Sequence, residues 1–324
     1  MRGRGFSATM GLLPLVALVL SGAAAHAAAS PRLCFFRTLP APIRAYLLDD
    51  IKFLVGWTFD AAALNPTLRA GDVVDARSGF ARLPSFSLAG ATPMVALRGK
   101  YRVMQLAFDR GRGYYGIEFG VLDERGEVAA VLLANRLFRM PIALRDPGGL
   151  ATDVLTNAAM MLGFSTAALE DAEAAARMAY EDARRLGVPL LIGGQSQAGG
   201  TAQLQIATLQ KAGASDASAG FVTLNAADAL RSIRRLGLAG EEVEGINFAK
   251  DLDPGVGPKA PFRNRVGFQV YIHRDGSGGR EPGDTSFLDA LLHPRQHFLD
   301  SFNQVDLTAA LAAALAEAVE GAAC

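Results

Sequence analysis

Val188-Pro189-Leu190-Leu191-Ile192-Gly193-Gly194-Gln195-Ser196-Gln197-Ala198-Gly199-Gly200 decides how the rest of the chain is read. The apolar run Val188 to Ile192 has the length and branching of a buried strand, and a helix-compatible stretch follows from about Gln197 to Lys211. Ser196 therefore falls on a sharp strand-to-helix turn, where a hydroxyl is held clear of both elements and only small residues fit beside it. The residues at 194, 198, 199 and 200 meet that demand. A serine so placed is a candidate nucleophile, and the remaining sequence must be searched for a base, an acid and an oxyanion site.

Upstream, Ser165 or Thr166 can cap a helix with Leu169, Ala172, Ala176, Tyr180 and Ala183 at helical spacing, stopped by Gly187. Downstream come a strand at Phe221 to Asn225, a helix near Ala227 to Arg235, and strands near Val243 to Ala249 and Val266 to His273. A terminal helix carries Leu307, Leu311, Leu315 and Val319 on one face. This alternation predicts right-handed crossovers and an α/β fold with a mainly parallel central sheet flanked by helices. Tyr114 to Leu122 and Val128 to Ala134, joined by Asp123-Glu124-Arg125-Gly126, read as a β-hairpin. Arg145 to Gly149 reads as a loop and Thr152 to Met161 as a short helix. Before residue 114 the signals are mixed: a helix near Ile43 to Val55, the single tryptophan Trp57, whose commonest role is packing, and turn-rich sequence thereafter.

The 324 residues are 50% hydrophobic and 20% charged, with 32 basic against 32 acidic side chains. A large core is within reach, and the balanced charge gives no reason to expect nucleic acid as a partner. Arg2 and Arg4 precede the apolar run Met10 to Leu20 and the small residues Ala23 to Ala27, the pattern of a signal peptide over residues 1–27. That run falls short of the ~20 residues of a spanning helix. The expected organisation is thus a leader at 1–27, an N-terminal extension or lid at 28–113, and a catalytic domain at 114–324. Export, periplasmic or secreted, places Cys34 and Cys324 where they can pair; the alternative leaves both free or paired between chains. No cysteine or histidine spacing supports a metal, and no cofactor is expected.

A serine needs an imidazole to take its proton and a carboxylate to orient that ring. Since His26 falls in the leader, the base is His273, His293 or His297. His273 ends an apparent strand, where a structural histidine is the commoner reading; His293 and His297 share the segment Leu292-His293-Pro294-Arg295-Gln296-His297-Phe298. For the acid, Asp251 and Asp253 both follow the strand near residue 249, and Asp253 is preferred because it enters a Pro-Gly turn facing back to the site. Asp-Pro-Gly is also an ordinary turn sequence. The backbone N–H of Gln197, at the helix start, is the natural first oxyanion donor.

Four segments resemble the class 3 lipases of the α/β-hydrolase superfamily and their bacterial lipase-like relatives. They are Val128 to Ala134, Thr152-Asp153-Val154-Leu155-Thr156-Asn157, the serine turn with Thr201 to Leu204, and Asn247 to Val256. His297, followed by Phe298 and Phe302, is similar to the family's histidine segment, which implies His297 as base beside Ser196 and Asp253. The chain departs from the family in its Gly-x-Ser-x-Ala pentapeptide, in Gln195 where histidine is usual, and in Phe138-Arg139-Met140-Pro141 where the family has Phe-Arg-Gly-Thr. The resemblance implies a serine hydrolase acting on small hydrophobic esters or lipids, with transient membrane-surface contact. The competing reading is an inactive, hydrolase-like binding protein of the cell envelope.

Overall fold

Tyr115–Leu122 (β3) and Val128–Arg136 (β4) form the expected hairpin, pairing antiparallel from Tyr115 opposite Arg136 to Leu122 opposite Val128. Asp123 closes its turn, its carboxylate accepting from the N–H groups of Arg125 and Glu127. The hairpin belongs to a sheet that has nine strands among the described residues, in a spatial order that is the order of the chain. It begins with Val73–Val74 (β1) and Lys100–Phe108 (β2), and continues past the hairpin with Leu190–Gln195 (β5), Ala219–Leu224 (β6), Gly245–Lys250 (β7), Phe268–Ile272 (β8) and Gly278–Gly279 (β9). Pairings from β4 to β8 are parallel, and those at either end are antiparallel. The chain is seen in a computed structural model that describes residues 33–64, 68–76, 97–108, 113–136, 147–254, 257–258, 263–284, 286, 289, 302 and 305–317.

Side chains alternate across the sheet, so each central strand feeds two cores. Leu132 and Leu191 face one side, with Ile51 of helix α2 (Ala41–Leu64) and Leu311 of the last described helix, α7 (Leu307–Glu317). Leu133, Leu190 and Ile192 face the other, with α4 (Ala167–Leu186) and α5 (Gln197–Lys211). Alanines 168, 172, 175, 176, 179 and 183 make the buried face of α4, a flat surface that lets the helix lie close on the strands. The result is a mixed sheet between helical layers: the α/β class expected from the sequence is present, but only the pairings from β4 to β8 are parallel, where a mainly parallel sheet was expected.

Several boundaries move for identifiable reasons. Thr166 caps α4 through its hydroxyl, which accepts from Leu169 N–H, and Gly187 ends it at φ 68°. Val188 N–H is then spent on Ala183 O, and so β5 starts at Leu190 rather than at 188. Ala227 N–H goes to Ser196 O, which delays α6 (Leu230–Arg235) to the point where Asp228 accepts from Leu230 N–H. Helix α3 (Pro147–Leu162) begins inside the expected loop, because proline suits a first helical position where no N–H is needed. The expected face of α7 is also corrected: Leu307 and Leu311 are buried, but Leu315 is 40% exposed and Ala310 and Ala314 replace it. Spacing by four drifts about 40° per step around a helix, carrying Leu315 off the core.

The described part of residues 28–113 supplies a short helix α1 (Cys34–Thr38), α2, β1 and β2, all set on this one sheet. Two adjacent carboxylates of α2 fix it from both sides. Asp50 accepts from the N–H groups of Arg98 and Gly99 and from Tyr101 Oη at 2.6 Å, and burial raises its pKa against these donors. Asp49 accepts from Lys52 Nζ and Leu307 N–H, both at 3.0 Å, so α2 caps the start of α7. Cys34 is disulfide-bonded, and the sequence's other cysteine, Cys324, lies outside the described residues, as do the expected leader and Val319. Among the described residues no helix is long and apolar enough to cross a membrane.

Candidate active site

Gly193-Gly194-Gln195 bring β5 out at the carboxyl edge of the parallel strands, and α5 starts at Gln197. Between them Ser196 has φ 55° and ψ −123°, a left-handed backbone that a residue with a side chain rarely adopts. Backbone bonds pin the turn on both sides. Ser196 N–H donates to Leu224 O at 3.0 Å, and Ser196 O accepts from Gly200 N–H at 3.1 Å and from Ala227 N–H at 2.8 Å. A Cβ on Gly194 would run into the Ala198 carbonyl, and one on Gly199 would come within 2.7 Å of Ala226 Cβ. On Gly200 it would lie 2.5 Å from Met160 Cε. The three glycines singled out in the sequence are thus required by contact, and the strand, helix and 225–227 loop close around Ser196 only with them in place.

Beneath this turn lies a buried polar network absent from the sequence reading. Asn264 Nδ2 donates to Gln203 Oε1 and to the carbonyls of Ala226 and Ala227, fixing the loop whose Ala227 N–H holds Ser196 O. Gln203 Nε2 reaches Thr223 Oγ1, Thr223 donates to Asn247 Oδ1 at 2.9 Å, and Asn247 Nδ2 donates to Gln269 Oε1 at 2.8 Å. A chain of side-chain amides and the Thr223 hydroxyl therefore joins α5 to β6, β7 and β8. Polar residues inside otherwise apolar strands, as in Gly-Ile-Asn-Phe-Ala, are the signal that would have revealed it. Asn225, at φ 45°, turns the chain out of β6, and its Oδ1 accepts from Lys250 N–H at 2.9 Å.

The two candidate acids share the loop after β7, two strands from β5 on the same edge, roughly 10 Å across by strand spacing. Asp253 is buried; its N–H donates to Lys250 O and its carbonyl accepts from Gly257 N–H, both at 3.1 Å, in a closed turn. Asp251 is also buried and has a defined partner. His273 Nδ1 lies 2.7 Å from Asp251 Oδ2, and Gly283 N–H donates to the same oxygen at 2.9 Å. His273 follows β8, a strand further from Ser196, and its Nε2 is turned toward Gly279 of β9, where a Cβ would lie 2.9 Å away. The ring's free edge therefore faces away from β5.

Gln197 is the first residue of α5 and is buried, with its N–H at the helix start. His293, His297 and the segment 137–146, with Phe138-Arg139-Met140-Pro141, lie outside the described residues. The flanks of the histidine segment are described, however, and both meet the end of β7. Gly283 bonds Asp251, and buried Phe302 has Lys250 Nζ 5.2 Å from its ring centroid. Among the described residues no cluster of histidine, cysteine, aspartate and glutamate could hold a metal ion.

No protein-family model and no curated protein matches the sequence. Among solved structures, a mutant form of MDLA from Penicillium cyclopium is 16% identical over 80% of this chain and 98% of its own, with a TM-score of 0.42. The Rhizomucor miehei lipase in its propeptide complex is 11% identical over 78% of this chain and 81% of its own, TM-score 0.44. The extracellular lipase LipA of Serratia marcescens is 14% identical over 70% of this chain and 42% of its own, TM-score 0.39.

Proposed function

We propose that the protein is an exported serine hydrolase that cleaves carboxylic esters, with Ser196 as nucleophile, His297 as base and Asp253 as the acid that orients it. The observation that carries this reading is the strained serine at the carboxyl edge of a parallel sheet, enclosed by glycines and followed at once by a helix start. Strain at a residue with a side chain costs about 1–3 kcal/mol, and such residues cluster at functional sites. Ser196 Oγ attacks the ester carbonyl while His297 takes its proton; the N–H of Gln197 stabilises the oxyanion as the alcohol leaves with the proton from His297. Water, deprotonated by the same imidazole, then releases the acid and restores the serine. Placement of both flanks of the His297 segment at the end of β7, beside the Asp253 turn, supports this choice of base and acid.

An apolar substrate is supported by α3, which lies beside the serine turn. Met160 packs where a side chain on Gly200 would go, and Thr201 Oγ1 points to its sulfur at 3.9 Å. The opposite face of the helix exposes Val154, Leu155 and Leu162, with Phe164 beyond its end at 56% exposure. Arg235 lies over the Phe164 ring, and Arg231 and Arg234 are exposed on the same short helix α6. An apolar stripe bordered by arginines suits contact with a lipid surface. The test is hydrolysis of p-nitrophenyl esters of increasing chain length by the mature protein and by Ser196→Ala, His297→Ala, His293→Ala and His273→Ala. Activity should vanish, by at least about 10³-fold, in the first two and survive in His293→Ala. Activity that persists in Ser196→Ala would sink the reading.

A further inference from the structure

One oxygen atom, Asp251 Oδ2, joins three segments: the end of β7 that leads into the Asp253 turn, the end of β8 through His273 Nδ1, and the start of the segment leading to His297 through Gly283 N–H. We infer that His273, acting through Asp251, is a positioning residue that clamps the acid-bearing turn and the base-bearing segment to one strand edge; the inference rests on the proposed hydrolase reading. Opposite a carboxylate, His273 Nδ1 carries the proton and donates it. Asp251 N–H also donates to Ile272 O at 3.1 Å, so backbone and side chain of the same residue both tie β7 to β8. The residue at 283 must be glycine, because a Cβ there would collide with Asp251 Oδ2 and lie 3.2 Å from His273 Nδ1. Two residues after Asp251 the chain reaches Asp253, whose turn closes on Lys250 O and Gly257 N–H. Asp251 is thus the residue through which this turn is tied to β8 and to Gly283, with two donors on one of its carboxylate oxygens. The other edge of the imidazole faces Gly279 and the carboxylate of Glu317, away from the serine strand, which suits a strut rather than a proton shuttle.

The experiment compares His273→Phe, His273→Asn and Gly283→Ala with the wild-type protein. Asparagine keeps a donor near the place of Nδ1, whereas phenylalanine fills the same space without one. For ester hydrolysis, His273→Phe and Gly283→Ala should lower kcat by about tenfold to a hundredfold with KM changed little, the scale of a catalytic group displaced by about an ångström. His273→Asn should recover most of that loss. Amide hydrogen exchange should show protection of Gly283 and Gly257 lost in His273→Phe and retained in His273→Asn. Wild-type kcat in both His273→Phe and Gly283→Ala overturns the inference. So does an asparagine variant as inactive as the phenylalanine one, since His273 would then itself be the base. Should His273→Phe not fold, Gly283→Ala carries the kinetic arm. Should the wild-type protein hydrolyse no ester, the function proposal fails while exchange still decides on the clamp: unchanged protection of both amides in His273→Phe overturns it.

Discussion

Ser196 is held at φ 55° and ψ −123° by three backbone bonds that cannot relax without pulling β5 from β6 or α5 from the 225–227 loop. Such residues were legible in the sequence because the chemistry of the turn shows in residue size: four small residues around a single serine. Glu118 shows what was not legible. It sits on β3 facing α4, 3% exposed, and burial together with the neighbouring Asp182 carboxylate pushes its pKa up to about 7. Its folded state therefore binds a proton that the unfolded chain releases near pH 4.5. The cost of Glu118 is absent below that pH and grows as pH rises to about 7. Glu118→Gln should stabilise the protein by about 2 kcal/mol at pH 8 and by nothing at pH 4, read from urea unfolding at both pH values. The Asp251–His273 pair was hidden in the same way. The partners lie 22 residues apart and meet only because β7 and β8 are parallel neighbours, which no local spacing reveals.

At the scale of elements, α4 and α5 were readable because each carries its own start and stop signals: a capping threonine and αL glycine for one, the serine turn for the other. Helix α3 was read short because its first turn contains Pro-Gly-Gly, residues that also make loops. Its outer face makes a prediction of its own. The wild-type protein should cosediment with phosphatidylglycerol vesicles more than with phosphatidylcholine vesicles. The double substitution Leu155→Asp and Phe164→Asp should abolish this, while Arg231→Gln with Arg234→Gln should remove only the preference for the anionic lipid. Equal sedimentation of all three proteins would show that α3 and α6 do not form a lipid-facing surface.

Across the whole molecule, β2 was the hardest strand to foresee. It pairs on both sides, yet its sequence, Lys-Tyr-Arg-Val-Met-Gln-Leu-Ala-Phe, alternates imperfectly, and a bulge between Val103 and Gln105 shifts its register. Its pairing with β3, and the cover α2 gives the central strands, bind residues before 114 to those after it. We therefore predict that residues 114–324 alone will not unfold cooperatively in urea, whereas the chain from residue 28 will. Asp50→Ala in the longer chain should cost about 3 kcal/mol, since it leaves the buried Tyr101 hydroxyl and the Arg98 and Gly99 N–H groups without their acceptor. The sheet order, the two cores and the buried polar network converge on one turn at the carboxyl edge, the turn of Ser196. Treatment of the chain from residue 28 onward with a fluorophosphonate, followed by proteolysis and mass spectrometry, should place a single covalent adduct on Ser196; no adduct, or an adduct on another residue, would contradict Ser196 as the nucleophile.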